Sequence, residues 1–293
     1  MNIGTFYRGE VKPIVQLDVV LFLLAVISAV LNGGLLVLTH NRKPIDTILM
    51  AIIAFLDLLS ALCVIVGSTW KWIVGYSVLD DGTVWCHINS LVGWSVTISA
   101  LNVMALLSLV RYLTIVRGKE IHNSAIIVIA CTIISGITLL FGVKQIVNKP
   151  VAFTSGMYCA AVWSDGAPLS STLSIIIWIV ALPPLFIIPI CYARVTSYYT
   201  SIVLGSSGEY LPRKLYKQRQ SLILVIICYI MTLLPEYTQA FVSVIFKLEL
   251  ISWIDGLCKI FVFMVTIVNP VFAIWSHSGI RDQVHDMFDC FSS

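Results

Sequence analysis

The stretch CHINSLVGWSVTISALNVMALLSLVRY, residues 86–112, decides the fold of this chain. A cysteine opens a long apolar run, and Val110-Arg111-Tyr112 closes it. The 25-residue step from Cys86 to Arg111 makes about 37 Å of helix at roughly 1.5 Å per residue. A bilayer core is about 30 Å thick, so the run crosses it. The cysteine then stands at one membrane face and a permanent cation at the other. A transporter or channel has no general need for that arrangement. A helix anchored outside and read inside does.

Composition agrees with a membrane protein. The chain is 59% hydrophobic and 11% charged, with a mean hydropathy of +0.96. Soluble domains carry roughly 25% charged residues. Seven apolar segments are predicted, at 19–39, 46–70, 87–115, 123–143, 171–197, 220–246 and 251–275, each long enough to span. Residues 1–18 are polar and mixed, and the first apolar run is expected to serve as its own insertion signal. Residues 276–293 form an inner tail. Within it, 279–291 reads as an amphipathic helix, with Ile280, Val284, Met287, Phe288 and Phe291 on one face.

Lys and Arg set the orientation. With the amino terminus outside, eleven basic residues fall on the inner side and six on the outer, and Lys259 lies within the last segment. The net charge of +3 belongs to membrane-facing loops and calls for no nucleic-acid partner. Cys86 and Cys159 both fall outside in this topology, where a disulfide can form. Cys63, Cys131, Cys191 and Cys228 lie in helices, where free cysteine behaves as a small hydrophobe. Cys290, at the end of the inner helix, is a candidate for S-palmitoylation.

Polar residues inside the bilayer are costly and usually face a polar interior. Asp57 is near the middle of the second segment, Asn32 at similar depth in the first, and Asn269-Pro270 toward the inner end of the seventh. They either converge on one site or act as interhelical glue. Pro183, Pro184, Pro189, Pro235 and Pro270 interrupt the last three segments and can kink them.

In order and spacing these residues resemble the rhodopsin-like (class A) G-protein-coupled receptors, over about residues 15–291. The resemblance rests on Asn32, Asp57, Trp72-Ile73-Val74-Gly75, Cys86 with Arg111-Tyr112, Cys159, Pro235 and Asn269-Pro270. It implies an all-α bundle of seven transmembrane helices in the plasma membrane. It also implies coupling to a heterotrimeric G protein through Arg111 and Tyr112, and hinges at Pro184 and Pro235. Asn32, Asp57, Asn269 and Pro270 would be a polar switch core, with weak sodium binding at Asp57 at most. Ala100 and Val265 stand where the family often supplies polar ligands. No cofactor is implied.

The departures are specific. Val110 replaces the acid expected before Arg111, and Leu215 stands where the sixth helix could supply another. Arg111 is therefore expected to be loosely held, with measurable basal activity. Leu233 replaces the tryptophan expected two residues before Pro235, and Ala273 stands in place of the tyrosine after Asn269-Pro270.

An extracellular ligand is expected in the outer half of the bundle. Gly93 stands where amine receptors carry an aspartate, so an amine ligand is unsupported. Asn89, Gly93 and Trp94 line the third helix there; Glu236, Tyr237, Gln239 and Lys259 are the other pocket candidates. Glu236 and Lys259 either pair with each other or meet a charged ligand group. Lys259 also raises a rival, because Asp255 precedes it at the spacing of retinal-binding microbial pigments. The third segment has no acid for proton handling, and Phe263 occupies the animal-opsin lysine position. A small-solute transporter would need inverted repeats, which are not seen. A non-signalling seven-helix scaffold is the remaining alternative. No metal spacing or nucleophile motif suggests an enzyme.

Overall fold

A computed structural model describes residues 14–40, 44–80, 82–152, 155–161, 168–205, 220, 223–224, 226–235, 237–239 and 251–276. The helices are α1 (Val15–Thr39), α2 (Ile45–Val74), α3 (Val84–Arg111), α4 (Asn123–Val147), α5 (Pro168–Ala181), α6 (Pro183–Gly205) and α7 (Ser252–Ser276). A π-helical turn, Tyr112–Val116, extends α3. The described residues at 226–235 and 237–239 are also helical. The rest of the expected sixth segment, Leu215, and the tail with 279–291 and Cys290 lie outside the described residues.

Among the described residues, six helical stretches are long and apolar enough to cross a membrane, α5 and α6 forming one of them. The chain is a multi-pass membrane protein. Its outward faces suit lipid: Val30, Val37, Val128 and Leu139 are all exposed. In water such faces would cost about 25 cal/mol per Å²; against acyl chains they cost little.

Local chemistry sets the helix ends. Thr83 caps α3 by accepting from the Cys86 N–H at 3.1 Å. Gly75 ends α2 with φ at 104°, the left-handed region that glycine enters without strain. Pro183 and Pro184 break the fifth segment at Leu182, because neither ring carries an N–H for the preceding turn. Pro189 and Pro270 sit inside helices that continue through them.

Several helix ends differ from expectation, α6 most of all, since it runs to Gly205 instead of 197. α1 starts at Val15 instead of 19. Asp18 lies in its first turn, buried and paired with Lys71 of α2, so a charge that looked solvated belongs to the bundle. α2 correspondingly runs on to Val74. An unexpected antiparallel hairpin, β1 (Pro150–Ala152) and β2 (Cys159–Ala161), joins α4 to α5. Three-residue strands are too short to show an alternating pattern.

α3 is the central helix, packed against α2, α4 and α6, while α1 packs against α2 and α7. One core, around Leu49, Ile53, Val103, Leu107, Ile188 and Tyr192, fills the middle and the Arg111 end. A second, around Leu17, Leu21, Met157, Tyr158 and Phe263, joins the hairpin to α1 and α7. Gly256 permits that junction. A Cβ there would lie 2.6 Å from Leu17 Cδ1 and 3.0 Å from Met157 Sδ. Gly256→Val should therefore destabilise the purified protein by about 1–3 kcal/mol, the usual cost of overpacking. An unchanged unfolding temperature would show that this contact is slack.

Candidate functional site

The first region lies at the end that bears the hairpin. Cys86 and Cys159 are disulfide-bonded, with Cα atoms 5.4 Å apart. The bond ties β2 to the start of α3, and Asn89 Oδ1 accepts from the Cys159 N–H at 2.9 Å just below it. Other polar groups pin the hairpin further. Asp255 of α7 is fully buried and accepts from the Ser155 N–H at 3.1 Å, Tyr158 Oη at 2.7 Å and Gln239 Nε2 at 3.1 Å. Lys71 donates to Asp18 and to the Met157 carbonyl. Ser68 Oγ donates to the same Asp18 oxygen at 3.1 Å.

Beneath this lid lies a cavity of about 510 Å³, counted out to its mouth. Asn89, Gly93, Trp94 and Lys259 all line it. Two other pocket candidates are engaged elsewhere. Gln239 serves Asp255, and Tyr237 Oη donates to the Ala181 carbonyl at 2.7 Å, beside the break between α5 and α6. Glu236 lies outside the described residues, so its pairing with Lys259 has no geometry here. Lys259 Nζ stands 4.9 Å from the Trp94 ring centroid and 4.7 Å from that of Tyr158.

The second region is the polar core. Asn32 Nδ2 donates to the Thr266 carbonyl of α7 at 2.8 Å and to the Ser28 carbonyl at 2.9 Å. Asp57 accepts from Asn269 Nδ2 at 2.7 Å. Tyr229 donates to Asn269 Oδ1, continuing the chain to the sixth segment. Asn32 and Asp57 thus both reach α7, at positions one turn apart, and Pro270 follows within the helix. Ala100 and Val265 are buried and supply no oxygen, and Asp57 is already met by Asn269.

The third region lies at the opposite end. Arg111 is 6% exposed. Its Nε donates to Asp46 Oδ2 at 3.1 Å, and its Nη1 donates to Tyr192 Oη at 3.4 Å. Met50 Sδ is 3.9 Å from Nη2, and the guanidinium carbon lies 5.5 Å from the Phe272 ring centroid. Neighbouring Tyr112 points elsewhere, and its hydroxyl accepts from Arg117 Nε at 3.0 Å.

The profile of the 7 transmembrane receptor (rhodopsin family) matches residues 34–272. The chain belongs to that family. No curated protein matches it. The family is one of signalling receptors rather than enzymes.

Within this receptor, the pairing of Arg111 with Asp46 corrects the expectation of a loosely held arginine. Val110 is buried in the core and offers no charge, but Asp46, in the first turn of α2, supplies the carboxylate from another helix. Tyr192 reaches Arg111 eight residues after Pro184, the register that favours Pro184 over Pro189 as the bend.

Sequence reasoning missed Asp46, the Asp18–Lys71 pair and the hub role of Asp255. The sequence flags each of these charges without naming its partner. A charge at or near the end of an apolar run needs a partner when it is drawn below the interface.

Proposed function

We propose that this receptor binds an extracellular ligand in the cavity beneath the hairpin and signals through a heterotrimeric G protein at the Arg111 end. In this reading the amino terminus begins outside, seven spans start at Val15 with the sixth at 220–246, and the carboxyl-terminal tail lies inside. The plasma membrane is the site of action. The amphipathic stretch 279–291 lies along the inner leaflet, with Cys290 able to carry an acyl chain there. Arg111 and Tyr112 meet the G protein; Asn32, Asp57, Asn269 and Pro270 link the two ends; Pro184 and Pro235 bend.

The observation that carries this reading is the state of Arg111. Arginine does not lose its proton. Its charge is compensated by a carboxylate and a hydroxyl on other helices. A charge held by breakable side-chain contacts between helices can be released by helix movement and offered to a partner. That is a two-state element of the kind that transmits binding across a membrane.

Arg111→Ala should abolish nucleotide exchange on a panel of Gα subunits while the protein still reaches the cell surface. Normal exchange by this variant would remove Arg111 from the mechanism and favour a non-signalling scaffold.

A further inference from the structure

Connecting segments normally run over a protein's surface, because a buried loop strands backbone polar groups. Residues 155–159 of the hairpin do the opposite, for every one of them is buried. The surrounding helices meet their polar groups. The Ser155 carbonyl accepts from the Ile14 N–H at the head of α1 at 3.4 Å, and the Ser155 N–H donates to Asp255 of α7. The Met157 carbonyl accepts from Lys71 of α2. The Cys159 N–H donates to Asn89 of α3. Tyr158 Oη and Gln239 Nε2, the latter from the sixth segment, both donate to Asp255 Oδ1.

The fit is close. Beneath the segment, the space that the centre of a water molecule can occupy is about 30 Å³, room for about two waters. The hairpin itself fills this part of the bundle. In the same structure Arg111 is held by Asp46. The sixth segment is tied to α7 at two levels, through Gln239 and Asp255 beside the hairpin and through Tyr229 and Asn269 in the polar core. Tyr158 joins the upper tie because it bonds the same Asp255 oxygen as Gln239.

We propose that residues 155–159 are the receptor's own occupant of its outer pocket: seated on Asp255 through Ser155 and Tyr158, they hold the resting state, and an external ligand acts by displacing them. The inference rests on the receptor reading above and adds what keeps the receptor at rest. A bound group shifts a two-state equilibrium by the difference between its contacts in the two states. The segment is covalently tethered by the Cys86–Cys159 disulfide, so it is always at hand to reseat. Its bonds to Asp255 then count toward the resting arrangement, with the sixth segment and α7 joined at the hairpin end. Unseating Tyr158 removes one member of that junction and lets the sixth segment part from α7.

The test uses the full chain in lipid nanodiscs and reads ligand-independent nucleotide exchange on the Gα panel. Tyr158→Phe keeps the ring that faces Lys259 and removes the hydroxyl that reaches Asp255. It should raise exchange roughly tenfold, the scale of one lost charge-assisted hydrogen bond. A second chain locks the segment in place. A Cβ at Gly256 lies 3.6 Å from the Ser155 Cβ, inside the spacing of about 3.5–4.5 Å that a disulfide spans. Ser155→Cys with Gly256→Cys, closed with oxidised glutathione and verified by non-reducing peptide mapping, should exchange no faster than the native chain. Adding Tyr158→Phe to the locked chain should produce no rise, because the segment can no longer leave. Unchanged or slower exchange in Tyr158→Phe, or an equal rise when the segment is locked, would overturn the proposal. Should the locked chain fold poorly, Tyr158→Phe alone still decides. Asp46→Asn, run beside it, separates the two readings. A rise in Asp46→Asn with none in Tyr158→Phe refutes the hairpin's role alone; no exchange from any of these chains refutes the receptor reading as well.

Discussion

Asp46→Asn will raise ligand-independent G-protein activation roughly tenfold, with a modest loss of folding stability. Asp46 and Arg111 form an interhelical ion pair at 3.1 Å, with side chains 28% and 8% exposed. Exposed pairs contribute about 0.2–1 kcal/mol, and breaking buried ones costs about 3–5 kcal/mol. A half-buried pair lies between, and about 1.4 kcal/mol corresponds to a tenfold shift in a two-state equilibrium. Asparagine keeps the shape and an acceptor oxygen but removes the charge. Asp46 also sits near the positive amino end of α2, where losing a carboxylate costs about 0.3–1 kcal/mol. Activity should therefore rise while the unfolding temperature falls by a few degrees. Nucleotide exchange at matched surface expression measures the first, and thermal unfolding of the purified protein the second. An unchanged basal rate would mean that the pair does not restrain Arg111.

Asp255→Ala should be the most damaging single change at the opposite end. It removes the acceptor for Ser155, Tyr158 and Gln239 in a fully buried site. Each stranded donor costs about 1–3 kcal/mol. With relaxation and entering water, a total of roughly 3–5 kcal/mol is expected, the range seen when one partner is removed from a buried charged network. The disulfide remains, so the hairpin should stay attached to α3 while losing its hold on α7. Amide exchange should accelerate at Ser155 and Tyr158 and remain slow at Cys159. Uniform protection across the hairpin would show that the disulfide and the Lys71 contacts hold it without Asp255.

The bundle was legible in the sequence because lipid demands long apolar runs. Those runs surround Asp57, Asn32 and Asn269 closely enough to place them at interior depth. The disulfide was legible from topology, since Cys86 and Cys159 fall on the same side. The Asp46 contact was not. It joins the start of one helix to the end of another across 65 positions, and no local pattern encodes that meeting. From Val110 alone the arginine looks unrestrained. Asp18 was hidden by a related effect: a charge near a span end reads as outside until its partner, here Lys71, is found on a neighbouring helix. The hairpin was hidden because its three-residue strands carry too few side chains for alternation to show. Gln239 and Tyr237 had the right depth for the pocket, but their bonds to Asp255 and the Ala181 carbonyl direct them elsewhere.

The central claim is that Arg111 is both the coupling group and the group that Asp46 holds back. The most direct measurement is nucleotide exchange by the native receptor, Asp46→Asn, Arg111→Ala and the double variant, each in nanodiscs with the same Gα panel. Exchange should rise in Asp46→Asn and vanish in Arg111→Ala. It should remain absent in the double variant, because releasing a restraint has no effect once the restrained group is gone. A double variant as active as Asp46→Asn would contradict the account, since Asp46 would then act through something other than Arg111.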